Sequence, residues 1–280
     1  MDIHWYPGHM VKAKKDIENS LKLVDIVIEL LDARIPRSSR NPDIDDMCRN
    51  KYRIIALNKS DLSDKDANAA WNKYFTDKGL ICIQIDSLSG KGVRNIVKSM
   101  NNLFKDRDKK LKDKGIVSKP IRALVVGIPN VGKSSLINRL SGRTSAKTGN
   151  KPGVTMGKQW IKIGGSLELL DTPGILYPKF ENDEAGLNLA FTGAIKDEVI
   201  NREELAVKLI KRLKEVSPGS LVSRYKIKDI ESEPLDILNQ IGDRRGCIIR
   251  GGNIDIEKAS NILIDEFRSG KLGAISLERP

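Results

Sequence analysis

A short glycine-rich segment ending in lysine and serine carries the most specific chemistry in this sequence. Residues 127–134 (Gly-Ile-Pro-Asn-Val-Gly-Lys-Ser) match the pattern G-x4-G-K-[ST] and directly follow an apolar run. Glycines without a Cβ let successive backbone N–H groups turn toward one phosphate. The spacing predicts that Lys133 contacts the β- and γ-phosphates and that the Ser134 hydroxyl binds Mg²⁺. The predicted nucleotide-binding residues of this loop are Asn130, Val131, Gly132, Lys133, Ser134 and Ser135.

A second motif, Asn58-Lys59-Ser60-Asp61, indicates a guanine base. A carboxylate such as Asp61 accepts hydrogen bonds from guanine N1–H and the exocyclic amine, and adenine presents no such donor pair. Asn58 can bond N7 and bridge loops, while the Lys59 stem can cover the base. An isolated Asn-Lys-x-Asp reads equally well as a charged turn. Together with the phosphate loop, it predicts a guanine nucleotide site.

Two further segments are expected to complete this site. Asp171 begins Asp-Thr-Pro-Gly at the end of a strand and is predicted to hold Mg²⁺ through water, while the Gly174 N–H senses the γ-phosphate. An aspartate in this place could also cap a turn. Between the phosphate loop and Asp171, Thr155 is the preferred hydroxyl ligand of Mg²⁺, with Thr144 and Thr148 as alternatives.

The order of the two motifs along the chain is the reverse of that in ordinary GTP-binding proteins. The base-reading motif comes first and the phosphate loop follows it, so we predict a circularly permuted domain. In this order, the chain after Gly174 leads directly into the C-terminal region. Asp86 and Ser87, which follow the next apolar run after the base-reading motif, are expected to close over the base from its other side.

Apolar runs rich in β-branched residues alternate with amphipathic stretches over the first part of the chain. The runs predict buried parallel strands at residues 24–31, 53–57, 80–85 and 121–126, and a hairpin at residues 160–170 turned by Gly164-Gly165. A helix is predicted to start with Ser63 as its cap. A second helix is predicted from apolar residues that share one helical face, namely Val93, Ile96, Val97, Met100, Leu103 and Phe104. The expected fold class is α/β, with a doubly wound, mostly parallel sheet.

Beyond about residue 180, the strand pattern gives way to two apolar helical stripes. One contains Leu205, Ala206, Leu209, Ile210 and Leu213, and the other contains Ile256, Ala259, Leu263 and Phe267. We therefore predict a GTP-binding domain at residues 1–178 and a small helical domain at residues 179–280.

Composition and charge exclude some classes of protein and favour an anionic partner. The chain of 280 residues has 39% apolar and 31% charged residues, and no run of about 18 apolar residues that would span a bilayer. With 49 Lys and Arg against 37 Asp and Glu, nucleic acid is the favoured partner and a membrane surface the second. The stretch 105–119 could bind RNA, although a solvated helix end and linker is the favoured interpretation. The three cysteines are expected to pack as small apolar side chains in a reducing cytoplasm.

These motifs together resemble the bacterial ribosome biogenesis GTPase A family, which belongs to the circularly permuted GTPases of the translation-factor (TRAFAC) class. The resemblance rests on residues 5–10 (Trp-Tyr-Pro-Gly-His-Met), 32–36 (Asp-Ala-Arg-Ile-Pro), 58–61, 127–135, 152–155 and 171–174. It implies a GTPase that acts in late assembly of the large ribosomal subunit and binds near ribosomal RNA. It also implies slow hydrolysis that the pre-ribosomal particle stimulates.

The resemblance suggests two catalytic features. Ras-type enzymes place a water-orienting glutamine directly after Asp-x-x-Gly, but here the position is Ile175, so another group must supply this function. His9 is the candidate, with a local packing role as its alternative, and His4 is not favoured. Asn130 resembles the asparagine with which related GTPases hold K⁺ near the transition state.

Three other classes of protein compete with this interpretation. They are a nucleotide-independent RNA-binding scaffold with a vestigial GTP site, a P-loop kinase or ATPase, and a membrane-surface GTPase. The complete motifs oppose the first, the base-reading motif opposes the second, and no amphipathic basic anchor supports the third. We expect a cytoplasmic monomer that uses Mg²⁺ and has no membrane partner.

Overall fold

Six strands form a single sheet in the computed structural model, which describes residues 15–117, 119–142, 159–163, 166–171, 183–195 and 197–280. The strands are β1 (Ile26–Asp32), β2 (Tyr52–Asn58), β3 (Ile81–Gln84), β4 (Ile121–Val126), β5 (Gln159–Ile163) and β6 (Leu167–Asp171). Their order across the sheet is β3-β2-β1-β4-β6-β5. All neighbours are parallel except β5, which pairs antiparallel to β6.

The predicted mostly parallel sheet and its hairpin are therefore confirmed. β1 lies in the middle of the parallel part and is buried along its whole length, because helices cover both faces. The predicted turn at residues 164–165 lies outside the described residues. Parallel strands end at one edge of the sheet, so the loops that follow β1, β2, β3 and β4 lie side by side.

Helices cover the sheet on both faces. The first five are α1 (residues 15–21), α2 (Asp43–Met47), α3 (Lys65–Asp77), α4 (Val93–Asp113) and α5 (Lys133–Ser141). Side chains alternate between the faces of a strand, and those of β1 show which helix lies where. Val27 packs in one cluster with α1 and α2, and Leu31 packs with α3. Ile28 belongs to the cluster that contains the buried residues of α4 and α5.

A helical region follows the sheet, as the two apolar stripes predicted. It contains α6 (Asp183–Phe191), a 3₁₀-helix (Asp197–Val199), α7 (Arg202–Val216), α8 (Pro218–Tyr225), α9 (Pro234–Arg244) and α10 (Ile256–Arg268). The five apolar residues of the α7 stripe are fully buried, and Ala259, Leu263 and Phe267 of α10 pack in the same core. The predicted boundary at residue 178 lies outside the described residues.

The start of α3 differs from the sequence prediction by one residue. Asp64, and not Ser63, caps the helix, since its carboxylate accepts a hydrogen bond from Ala67 N at 2.8 Å. Ser63 is buried, and its hydroxyl lies 2.8 Å from Asn68 Oδ1. Both residue types cap helices well, so position alone could not separate them.

The cysteines are free thiols, as predicted. Cys48 and Cys247 are buried in apolar clusters, and Cys82 is half-buried on β3, an edge strand of the sheet. Burial raises the pKa of Cys48 to about 11 and that of Cys82 to about 12. In the described part of the chain, no helix combines the length and apolar character needed to cross a membrane.

One carboxylate in the central strand has no hydrogen-bond partner among the described residues. Glu29 is buried on β1, and its oxygens lie 3.7 Å from both Arg40 Nε and Arg53 NH1 without hydrogen bonding to them. Asp45 forms ion pairs with both arginines and competes for their charge. Burial raises the pKa of Glu29 to about 7, although the two arginines act in the opposite direction.

This raised pKa predicts a stability that falls as the pH rises. Between the ordinary value of 4.5 and about 7, folded Glu29 binds a proton that the unfolded chain has released, so the free energy of unfolding decreases by up to about 3 kcal/mol. Urea unfolding across this pH range will measure the decrease in the wild type. The part of the decrease that Glu29 contributes should be lost in Glu29→Gln and persist in Glu231→Gln, an exposed control, while the raised pKa of Glu278 leaves a remainder in both. Identical pH profiles for wild type and Glu29→Gln would contradict this origin.

Candidate nucleotide-binding site

Three loops that chemistry assigns to one nucleotide meet at the carboxyl edge of the sheet. Residues 58–61 follow β2, residues 86–92 follow β3, and residues 127–132 follow β4. β1 separates β2 from β4, so the base-reading loop and the phosphate loop must reach over the end of β1 to touch. The structure brings them into direct contact, which places the two sequence motifs in one site despite their order along the chain.

Asn58 is the side chain that joins the three loops. It is 1% exposed. Its amide nitrogen donates a hydrogen bond to Val131 O in the phosphate loop at 2.7 Å, and its amide oxygen accepts one from Ser87 N at 2.9 Å. A carboxamide has two donor hydrogens, so one N–H remains for a further acceptor such as a ring nitrogen of a base. The bridging role predicted for Asn58 is therefore present in the structure.

The phosphate loop has the backbone that its glycines predicted. Gly127, Asn130 and Gly132 all have positive φ. A Cβ on Gly127 would lie 2.6 Å from Leu30 O, and one on Gly132 would lie 2.3 Å from Asn58 Nδ2. Gly132 directly precedes α5, so the N–H groups at the start of this helix face the concave side of the loop.

Lys133 and Ser134 begin α5 at the site. Lys133 is buried, and its ammonium group donates to Gly127 O at 3.1 Å and Ile128 O at 2.8 Å, both in the phosphate loop. The ammonium group is thus held across the loop, where an anion would meet it. Ser134 and Ser135 follow in the first turn of the helix, within reach of the same ligand.

The loop after β3 lies against the base-reading loop. Ser60 N and Ser60 Oγ both donate to Ile85 O, at 3.1 and 2.9 Å. Asp86 uses one carboxylate oxygen to accept from Leu88 N at 2.8 Å, which shapes the loop. Arg139 of α5 donates to Leu88 O and secures the loop from the other side. Asp61, the last residue of the base-reading motif, is exposed.

A buried ion cluster lies beneath the base-reading loop, and the sequence motifs did not predict it. Asp32, at the end of β1, accepts from Arg34 Nε at 2.9 Å and from Arg34 NH2 at 2.7 Å. It also accepts from Lys59 Nζ at 2.9 Å. Burial raises the pKa of Asp32, but the two cations outweigh it and lower the pKa below its usual range. Lys59, whose pKa burial lowers, is thereby fixed at positive φ within the base-reading loop.

Sequence analysis also missed the segment that covers this cluster, which we call the tail (residues 275–279). Ile275 N donates to Leu62 O and Leu277 N to Arg34 O, both at 2.9 Å. The tail carboxylate of Glu278 accepts from Arg37 N at 2.7 Å and from Asn188 Nδ2 of α6 at 3.0 Å. The signal that could have found this segment is the alternation of buried Ile275 and Leu277 with polar residues.

A second contact joins the phosphate loop to the helical region. Asn130 donates from its amide nitrogen to Gly193 O, just after α6, at 2.7 Å. Arg268 of α10 donates to Phe191 O at 3.1 Å and Ala190 O at 2.8 Å. The loop residue proposed to hold K⁺ is thus also a contact point between the two parts of the chain.

Several predicted site residues cannot be placed. His9, Thr155 and Gly174 lie outside the described residues, and so does the side chain of Asp171. The backbone of β6 ends at Asp171 beside β4, because Leu170 pairs with Leu124, so Asp171 reaches the carboxyl edge near the phosphate loop. A serine hydroxyl and a carboxylate are oxygen donors of the kind that Mg²⁺ prefers, so the residues present fit this ion.

Comparisons with known proteins agree with this geometry. A family model described as "50S ribosome-binding GTPase" matches residues 122–244, starting in β4. The ribosome biogenesis GTPase A of Bacillus licheniformis is 48% identical over 280 residues, which cover 100% of this chain and 99% of that protein. A GDP-bound YlqF structure has a TM-score of 0.69 at 27% identity, covering 95% of this chain and 99% of that one. The GNP-bound YlqF from T. maritima has a TM-score of 0.68 at 29% identity, covering 96% and 98%.

The contact between Gly132 and Asn58 can be tested by substitution. In Gly132→Ala, the new Cβ would displace the Asn58 amide from its two buried partners and add backbone strain at φ +104°. We expect a loss of about 3 kcal/mol in the free energy of unfolding, measured in urea. Gly142→Ala is the matched control, since its φ of +67° is also positive but nothing lies within 4 Å, and it should lose only about 1 kcal/mol. Equal losses would show that the loop contact does not stabilise the fold.

Proposed function

The chain belongs to the ribosome biogenesis GTPase A family, and from this premise we propose that it is a GTPase that binds the precursor of the large ribosomal subunit. It promotes late assembly of this particle and hydrolyses GTP to GDP and phosphate, which drives its release. Its partners are the particle, its ribosomal RNA and GTP or GDP, and it works as a cytoplasmic monomer. The buried Asn58 amide that joins the base-reading and phosphate loops carries the nucleotide-binding part of the proposal, and the family relationship supports its ribosomal part.

The roles of the binding residues follow from their chemistry. Asp61 accepts from guanine N1–H and the exocyclic amine, and the second N–H of Asn58 binds N7. The backbone of the phosphate loop and Lys133 bind the phosphates, with Ser134, Thr155 and Asp171 as the ligands of Mg²⁺. When bound, this ion neutralises charge that develops on the phosphate oxygens. Lys59 supports the base from the ion cluster, where Asp32 fixes its ammonium group.

Hydrolysis needs a group that orients water, and Ile175 cannot supply it. We assign this role to His9, which acts when the particle is bound. Asn130 would hold K⁺ through its amide oxygen, since the amide nitrogen contacts Gly193. Because His9 acts only with the particle bound, the protein alone should hydrolyse GTP slowly and the particle should accelerate hydrolysis.

The permuted order connects the γ-phosphate sensor to the helical domain. In the proposed division at residue 178, the loop containing Gly174 is also the tether of residues 179–280, which bind RNA or the ribosome. GTP then favours one placement of the helical domain, and hydrolysis removes that preference. The contact of Asn130 with Gly193 supports this proposal, because it ties the phosphate loop to the same domain.

Base selection can be tested by changing one carboxylate. Asp61→Asn replaces an acceptor pair by one donor and one acceptor, a pattern that suits xanthine instead of guanine. We expect GTP affinity to fall on the order of 10²-fold and XTP affinity to rise, measured by competition against a fluorescent guanine nucleotide. Asp66→Asn, an exposed acid in the first turn of α3, should bind GTP as the wild type does. If ATP competes as well as GTP, or if XTP gains nothing, the guanine assignment fails.

Turnover measurements test the catalytic assignments and the alternative of a nucleotide-independent scaffold. Large subunits should stimulate GTP hydrolysis by the wild type, and His9→Ala should lose about 10²-fold of the stimulated rate because water is no longer positioned. His4→Ala is the matched control and should retain it. Replacing K⁺ by Na⁺ should lower the rate by removing the cation at Asn130. Stimulated rates that are unchanged in both experiments would discard His9 and K⁺, and absence of nucleotide binding would favour the scaffold.

A further inference from the structure

The net positive charge of the chain comes from the part that contains the sheet. Residues 1–178 hold 32 Lys and Arg against 19 Asp and Glu, whereas residues 179–280 hold 17 against 18. Long-range attraction to a polyanion therefore comes from the first part. The helical region can contribute shape and specific contacts, but it has no excess of positive charge. A polyanion-binding surface should accordingly be sought on the sheet-bearing part.

Helix α4 presents an ordered array of exposed cations in the described part of residues 1–178. We call it the α4 stripe, and it consists of Arg94, Lys98, Lys105, Lys109 and Lys112, all of them exposed. At about 100° per residue, the five positions fall within about 60° of one another around the helix axis. They face away from the apolar side of α4, which is buried against the sheet. With a rise of about 1.5 Å per residue, the α4 stripe is about 27 Å long.

The cations of the α4 stripe are not neutralised within the described residues. None of the five forms an ion pair there, whereas Arg107 of the same helix pairs with Asp25 at 3.7 Å and Asp108 at 3.2 Å. The other acids of α4, Asp106 and Asp113, project from its flanks by the same helical spacing. A solvated helix surface commonly alternates the signs of its charges, but this face carries one sign over five turns.

We propose that the α4 stripe is a docking surface for the phosphate backbone of double-stranded RNA. Its length lets the five cations meet successive phosphates along a helical groove, and its side chains contact phosphate and not bases. Aromatic residues, on which unpaired bases stack, are absent from the α4 stripe, so duplex RNA fits better than a single strand. A lipid surface fits less well, because the apolar face of α4 is already buried in the core and cannot insert.

This inference rests on the proposed function, since it names the surface through which the sheet-bearing part would meet ribosomal RNA. The test compares two triple variants that change the net charge equally. Lys98→Gln/Lys105→Gln/Lys109→Gln alters the α4 stripe, and Lys65→Gln/Lys73→Gln/Lys78→Gln alters exposed lysines on and next to α3, on the opposite face of the sheet. Thermal unfolding establishes that both variants are folded.

The probes are a short RNA duplex of arbitrary sequence, large ribosomal subunits and phosphatidylglycerol vesicles. We expect the α4 variant to bind the duplex on the order of 10²-fold more weakly at about 0.1 M KCl. The slope of log Kd against log[KCl] should decrease by about one for each lysine removed. The α3 variant should stay close to the wild type in both quantities.

Three results would overturn the assignment. Equal weakening of duplex binding in both variants would show that only net charge matters. An α4 variant with wild-type affinity for duplex and subunits would show that the α4 stripe does not bind RNA. Tight binding of vesicles that only the α4 variant loses, with duplex binding intact, would assign the stripe to lipid. Failure of the proposed function would give a different result. Large subunits would then not stimulate wild-type GTP hydrolysis, whereas the duplex affinities of the two variants would still test the α4 stripe.

Discussion

The side-chain amide of Asn58 is the joint on which the nucleotide site depends. A buried carboxamide gains stability from each donor or acceptor that finds a partner, because an unpaired buried polar group costs about 1–3 kcal/mol. Here the partners come from two other loops, Val131 O and Ser87 N. No side chain can stand between Asn58 and the phosphate loop, so residue 132 has to be glycine. The base-reading motif and the phosphate loop are therefore joined physically by a single buried side chain.

The end of β1 supports this joint from below. Ala33 N donates to Asn58 O at 2.8 Å, and the Asp32 carboxylate binds both Arg34 and Lys59. Removing one partner from such a buried cluster typically costs about 3–5 kcal/mol, because a charge is left uncompensated. Arg34 also contacts the helical region, through Arg268 O at 3.4 Å and the tail residue Leu277. The base-reading loop and the helical region thus share one set of buried charges.

Much of the fold could be predicted from the sequence because its signals are local. Strand β4 was predicted with its observed bounds, and the apolar faces of α4 and α7 were identified from their helical period. The phosphate loop could also be predicted, because Gly127 and Gly132 lie where a Cβ would clash. This steric requirement fixes the spacing of glycines in the motif. Local signals could not decide between Ser63 and Asp64 as the cap of α3, because adjacent residues had the same chemistry. Contacts between distant segments, such as Glu278 with Arg37 and Asn188, leave no periodic pattern in the sequence.

The position of the tail bears on how a newly made chain matures. Translation produces the base-reading loop early, the phosphate loop near the middle and residues 275–279 more than two hundred residues after Asn58. Hydrogen bonds from this late segment to Leu62 and Arg34 form only after it has left the exit tunnel. Until then, the base-reading loop lacks the contacts that this segment makes. A nascent chain therefore completes the contacts around the base-reading loop later than it makes either nucleotide motif.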